Sequence, residues 1–294
     1  MLQLIINGLI TGVLYSLMAI GFSLVYNTTK VFHIAAAGIW SYASYVYYVF
    51  SIGADLPVFA AIGIAIVWSM VLSLGVEFIV YLPFYRKNAS TGTMMIVSIG
   101  ALILIDSFDF FLTFAGYGRD FTPKHVDGLG FLWRSLDLSA EQCWQLAIGV
   151  PALIALLVFL KRTRWGNQFR AISADEDLFA SLGYDMVNVR ILASVLSGCF
   201  IALSSCLYIC GSQSVRSYTE SLDFFVLALA AMVIGGTRRY GGCLIGGLIV
   251  GLAQEISKGV WADANWLDLV VFGLAIIVLL FKPEGILGHK QRSV

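Results

Sequence analysis

Nine apolar runs, at 3–26, 31–52, 57–82, 93–115, 143–160, 190–211, 222–237, 241–260 and 266–281, leave this chain little choice of fold. About 20 apolar residues cross the hydrocarbon of a bilayer as a helix. Only a helix satisfies every backbone N–H and C=O within one such segment. The expected fold is therefore all-α, a polytopic transmembrane helical bundle of 8–10 spans forming a single membrane domain over 1–294. Only Thr237, Arg238, Arg239 and Tyr240 separate the seventh and eighth runs, so one of that pair is expected to be re-entrant or broken. Composition agrees: 59% of the residues are hydrophobic, 12% are charged, and the mean hydropathy is +0.87, far from a soluble domain of this length. The opening MLQLIINGLITGVLYSLMAIGF lacks a basic n-region and a small-residue cleavage site, and reads as a retained span. With 18 basic and 18 acidic residues and no polybasic tract, nucleic acid is not an expected partner.

Cytoplasmic loops carry the excess of Lys and Arg. With the N-terminus outside, the inner loops hold Lys30, Arg86, Lys87, Lys161, Arg162, Arg164, Arg170, Arg190, Arg238, Arg239, Lys282, Lys290 and Arg292, thirteen of the 18. The C-terminus is accordingly expected to be cytoplasmic, and an odd number of spans puts the N-terminus outside. The longest outer loop is 116–142, too short for a domain of its own.

One long polar segment, 161–190, has helix punctuation of its own. Ser173 precedes Glu176 by three residues, which reads as a capping box, and Asp175 to Asp177 place negative charge in the first turn. Gly183 supplies the left-handed terminus, so the spacing predicts a helix from about Ala174 to Leu182 with Leu178, Phe179 and Leu182 on one apolar face. So short a helix is marginal alone and needs a surface to pack on. Two readings fit: a helix lying on lipid headgroups, or a cytoplasmic coupling helix that plugs into a partner subunit.

Glycine is placed at small-xxx-small spacing in Gly8 and Gly12, Gly242 and Gly246, and Gly247 and Gly251, which lets helix backbones approach in lipid. Irregular backbone around Gly235 to Gly242 is tolerated only against protein or a water-lined cavity, so that region is expected to be interior. Four acids interrupt apolar runs: Glu77, Asp106, Asp109 and Glu255. Glu77 and Asp109, close to predicted span ends, read as interhelical hydrogen-bonding or interfacial residues, whereas Asp106 and Glu255 stay open as solute or proton sites. His33, at the start of the second run, reads as a capping or packing group. The five cysteines show no metal-ligand spacing and read as packing residues, and no metal site or cofactor is expected.

Several stretches together resemble the permease subunits of branched-chain amino acid ABC importers, a family that includes urea and amide permeases. GLITGVLYSLMAIGFSLVYNTTKVFHIAAAG at 8–38 is similar to its opening pair of segments. GNQFRAISADEDLFASLGYDMVNVR at 166–190 resembles its cytoplasmic coupling region, matched here by Arg170, Ala171, Asp175, Ala180, Leu182 and Gly183. VIGGTRRYGGCLIGGLIVGLAQEI at 233–256 is similar to its late glycine-rich segment, and PEGILG at 283–288 to its tail. The chain departs from the family where Asn-Phe-Ala-His-Gly is usual and His33, Ile34, Ala35, Ala36 and Ala37 stand, and where Gly-Ser is usual and Arg238 and Arg239 stand close by.

The resemblance implies a bacterial inner-membrane subunit that pairs with a second homologous permease, two cytoplasmic ATP-binding subunits and an extracytoplasmic solute-binding protein. It assigns coupling to Arg170, Ala171, Asp175, Leu182 and Gly183, to which the helix reading adds Ser173, Glu176, Leu178 and Phe179, and a translocation path to the neighbourhood of His33, Ala36 and Gly38, to which Asp106 and Glu255 are added as intramembrane acids. The solute is then a branched-chain or other amino acid, urea or a short amide. No Gly-x-x-x-x-Gly-Lys-Ser/Thr motif is present, so ATP would be handled by another chain. The alternative is a proton-coupled secondary carrier using Asp106 or Glu255. An intramembrane enzyme is not expected, since neither a Gly-x-Ser-x-Gly elbow nor His-Glu-x-x-His occurs.

Overall fold

The structure, a computed structural model, describes residues 2–114, 139–212, 218–237, 239–260, 267–282 and 285–287. Among them every regular element is helical. In chain order these are α1 (Leu2–Thr29), α2 (Ala36–Tyr48) with a π-helical turn (Val49–Gly53), and α3 (Val58–Gly75), which runs through a second π-helical turn (Val76–Tyr81) into α4 (Leu82–Arg86). Then come α5 (Thr91–Phe114), α6 (Ala140–Arg162), α7 (Arg164–Ala174), α8 (Glu176–Ser181), α9 (Met186–Ser212), α10 (Tyr218–Gly235), α11 (Tyr240–Val260) and α12 (Leu267–Phe281). Each of the nine apolar runs coincides with a helix. Among the described residues six helices are long and apolar enough to cross a membrane, and Ser221–Gly235 and Leu269–Phe281 are apolar but shorter. The second run starts late, at Ala36, because Lys30 turns the chain through a left-handed conformation (φ 56°). Neither the seventh nor the eighth run is broken: α10 and α11 are each continuous, and the bend expected around Gly235 to Gly242 falls between them. Most of the outer loop, 115–138, and tail positions Pro283, Glu284 and Gly288 lie outside the described residues.

Helix α1 is the axis of the bundle. Its apolar stretch is 89% buried, against 28% for α3, α5 and α6, which form the periphery. Lipid supplies no hydrophobic drive between helices, so close packing and polar contacts must hold them. The small residues do this in a specific way. A Cβ on Gly251 would lie 2.4 Å from the Gly12 nitrogen, and one on Gly247 would lie 2.2 Å from Ser16 Oγ, so these glycines seat α11 directly on α1. Gly246 faces the other side, where a Cβ would meet the Ala231 carbonyl of α10 at 1.8 Å. Serines then bond across to backbone carbonyls: Ser204 to Leu14 at 2.9 Å, Ser205 to Trp40 at 2.7 Å and Ser73 to Ser194 at 2.7 Å. These contacts tie α9 to α1, α2 and α3.

Candidate functional site

The polar segment forms two helices where one was expected. Thr163 Oγ1 accepts from the Gly166 N–H at 3.1 Å, starting α7. The chain doubles back there so closely that a Cβ on Gly166 would lie 2.1 Å from the Leu160 carbonyl. Asp175 is extended (φ −152°, ψ 112°) and its carboxylate accepts from the Leu178 N–H at 3.0 Å, capping α8. This corrects the predicted Ser173 and Glu176 capping box and the predicted span Ala174 to Leu182. Ser173 lies in α7's last helical turn and its hydroxyl is spent elsewhere, donating to Asn27 Oδ1 at 3.1 Å. Gly183 has φ 79°, the left-handed terminus its spacing predicts. The apolar face is also split. Phe179 is buried and stacks on Tyr184 with ring centroids 5.1 Å apart, while Leu178 (57%) and Leu182 (65%), one helical turn apart, are exposed. Phe169 and Ile172, fully buried, root α7 in the bundle. Arg170 and Ala171 are on its exposed side, with the Arg170 guanidinium donating to Asn167, and Glu176 opens α8 half-buried.

Beneath this segment lies a joint that sequence reasoning missed. Asn27, fully buried near the end of α1, accepts from Ser173 and donates from Nδ2 to the Thr237 carbonyl and to Ser23 Oγ, both at 3.0 Å. Lys30 Nζ donates to the carbonyls of Asn27 at 3.1 Å and Ser173 at 3.0 Å. The end of α1, the end of α7 and the α10–α11 turn therefore meet at one amide. The described tail adds to this side, Ile286 N–H donating to Ile234 at 2.9 Å and Leu287 N–H to Gly235 at 3.2 Å. Arg238 lies outside the described residues.

A second feature is an ion pair. Arg190, counted from sequence among loop charges, is 1% exposed, and its Nε donates to Glu77 Oε1 at 2.9 Å. Glu77 thus has the interhelical role expected of it. Ser194 Oγ donates to Glu77 Oε2 at 3.2 Å, and the guanidinium lies 4.2 Å from the Tyr85 ring centroid. Only the rarity of a Glu inside an apolar run signalled this pair; its partner is 113 residues away.

Four of the five candidate path residues fall along the α2–α5 seam. At one end His33, 2% exposed, has Nδ1 2.7 Å from Tyr81 Oη, which is 2.7 Å from Ser98 Oγ. Ala36 is buried beside them, and Gly38 lets α5 in so closely that its Cβ would lie 3.1 Å from Ile105 Cβ. Farther along, Ser41 Oγ donates to Asp109 Oδ2 at 2.9 Å. Asp106, one turn before it, is 8% exposed, with both oxygens shielded and no hydrogen-bond partner among the described residues. Around it Ile103, Ser107 and Phe110 line an open groove of about 260 Å³ along α5. Glu255 is not part of the seam: it belongs to α11 and accepts from Lys258 at 2.6 Å.

Residues 4–280 match the family described as the branched-chain amino acid transport system permease component. Among similar proteins, the high-affinity branched-chain amino acid transport system permease protein BraD of Pseudomonas aeruginosa is 26% identical over 99% of this chain and 96% of its own. The corresponding LivH protein of Escherichia coli K12 is 28% identical over the same shares. Of solved structures, PsaBC from Streptococcus pneumoniae, in complex with Fab, superposes with a TM-score of 0.54 at 16% identity, covering 95% of this chain and 91% of that one, a likeness of fold alone.

Proposed function

This chain belongs to the branched-chain amino acid transport system permease family, and from that premise we propose that it is the membrane-spanning subunit of an ATP-binding cassette importer whose solute is a branched-chain amino acid. It is a transport subunit and not an enzyme. In this reading the working unit pairs it with a second homologous permease, two cytoplasmic ATP-binding subunits and an extracytoplasmic solute-binding protein, in a bacterial inner membrane. Another amino acid, urea or a short amide would use the same architecture. The segment 161–190 takes the coupling role, and the loop 116–142 faces outward.

The observation that carries this reading is the apolar tip of α8. Leu178, Leu182 and Tyr184 are exposed on a polar, basic segment whose roots, Phe169, Ile172 and Phe179, are buried. A capped, rooted helix with an apolar knob suits a protein socket better than it suits retention in water. Lys30, the coupling segment, Thr237 and the tail meet on one side of the bundle, which supports a cytoplasmic C-terminus. A proton-coupled carrier finds less support, because the chain matches the permease component of a transport system and one of the two acids such a carrier would use, Glu255, is ion-paired. For solute we assign the α2–α5 seam, with Ala36, Gly38 and Asp106, as this subunit's share of the path.

The test is L178D/L182D, which spares the buried Phe179. Each site is expected to behave as an interface hot spot, costing about 2 kcal/mol or about 30-fold in affinity for the ATP-binding subunits. Uptake should be lost while the permease still inserts and purifies at wild-type yield. Normal uptake by this variant would remove the coupling assignment.

A further inference from the structure

We propose that Tyr81 is a positioning residue through which the coupling segment moves α5. The inference rests on the permease reading above and adds to it a route, with named atoms, between the segment and the solute seam.

The route begins where the coupling segment ends. Asp185 accepts from the Val187 N–H at 2.9 Å and from Asn188 Nδ2 at 2.7 Å, so the start of α9 is braced directly after the Gly183 turn. Arg190 follows on the next turn and holds Glu77 in the buried pair already described. Glu77 and Tyr81 are four residues apart on the same π-helical turn, Val76–Tyr81. Such a turn carries one extra residue in the helix and can shift register locally, which is why π-bulges recur at functional sites. Glu77 reaches from it to α9. Tyr81 reaches from it to α2 and α5.

The hydroxyl of Tyr81 has only one proton to give. If Ser98 Oγ accepts from the Ala35 N–H at 3.1 Å and donates to Tyr81 Oη, then Tyr81 donates to His33 Nδ1, and the imidazole proton sits on Nε2, which is buried without a hydrogen-bond partner among the described residues. One hydroxyl thereby pins the entry to α2 and the inner half of α5 to the same turn. Among the described elements α5 packs chiefly against α2 and this turn, so little else holds it. A displacement of α9's first turns, carried by Arg190 to Glu77, must either break a buried ion pair or move the π-helical turn. Moving the turn carries Ser98, and with it the stretch of α5 that holds Asp106 and faces Gly38 and Ser41 of α2 through Ile105 and Asp109.

The experiment uses the assembled importer in proteoliposomes with Tyr81→Phe, which keeps the ring and removes the hydroxyl, and Ser98→Ala, which removes its partner. Uptake and ATP hydrolysis are measured together. Hydrolysis stimulated by loaded binding protein should stay within about twofold, while solute moved per ATP falls about 10-fold, with the double variant no worse than either single one. Ser205→Ala removes an equally buried bond, between α9 and α2, and should leave the ratio unchanged. A wild-type ratio in Y81F, or a parallel loss of hydrolysis and uptake, overturns the proposal. Amide exchange of the purified subunit provides an arm independent of ATP: Y81F should speed exchange at 91–98, and an unchanged rate there also overturns it. A wild-type complex without ATP-dependent uptake would instead sink the permease reading, leaving that exchange rate to decide the strut.

Discussion

At the scale of single residues, what matters in this protein is which atoms have no room and which have no alternative partner. Gly246 is of the first kind. A methyl group there would overlap the Ala231 carbonyl, so Gly246→Ala should force α10 and α11 apart and cost about 1–3 kcal/mol, as overpacking generally does. Gly100 on α5, where a methyl group would meet nothing within 4 Å, should accept alanine within about 0.5 kcal/mol. Thermal unfolding of the two variants in one detergent measures the difference. Arg190 is of the second kind. Arg190→Ala leaves the Glu77 carboxylate buried with Ser194 as its remaining side-chain hydrogen-bond partner among the described residues, and should destabilise by about 3–5 kcal/mol. Adding Glu77→Gln should recover part of that loss, because the charge left stranded, not the missing contact, is the larger penalty. Equal melting points for the single and double variants would count against this account.

At the scale of elements, the polar segment 161–190 shows how local signals compete. Ser173 and Asp175 are both candidate caps for the same helix, and the tertiary structure chooses between them because Asn27 engages the Ser173 hydroxyl. Two substitutions separate the roles. Asp175→Ala removes the bond to Leu178 and should weaken α8 by about 1 kcal/mol, seen as about 5-fold faster amide exchange over 176–181. Ser173→Ala should leave 176–181 unchanged and speed exchange at the end of α1 instead. The reverse pattern would restore the capping box. α8 is only six residues long, so its existence depends on its caps and on Phe179 far more than on helix propensity.

At the scale of the whole molecule, the Asn27 joint puts Lys30, the segment 161–190, the α10–α11 turn and the tail on one side of the bundle. The excess of Lys and Arg in the loops assigned to that side predicts that it faces the cytoplasm. A reporter active only in the cytoplasm, fused after residue 294, should therefore be active, and one inserted in the loop 116–142 should not. The opposite result would invert the topology and remove the docking assignment for α8 with it. The peripheral position of α5, held chiefly by α2 and one π-helical turn, leaves it better able to move against the core than the central α1 and α9.

Hydropathy alone determined that this chain is a helical bundle, roughly where each span lies, and that α11 would approach its neighbours through glycine, because a bilayer permits few solutions and small-residue spacing is a local property. Polarity and helix punctuation located the segment 161–190, and the resemblance implied a coupling role for it. What neither could supply was pairing at a distance: that Gly251 meets Gly12, that Glu77 meets Arg190, that Asn27 gathers three elements, or that Phe179 turns inward while Leu178 turns out. Those contacts join residues far apart in the chain, and a polar side chain in lipid is committed to whichever partner the packed helices bring within reach. The span is written in the order of the residues, whereas the partner exists only once the helices have closed on one another.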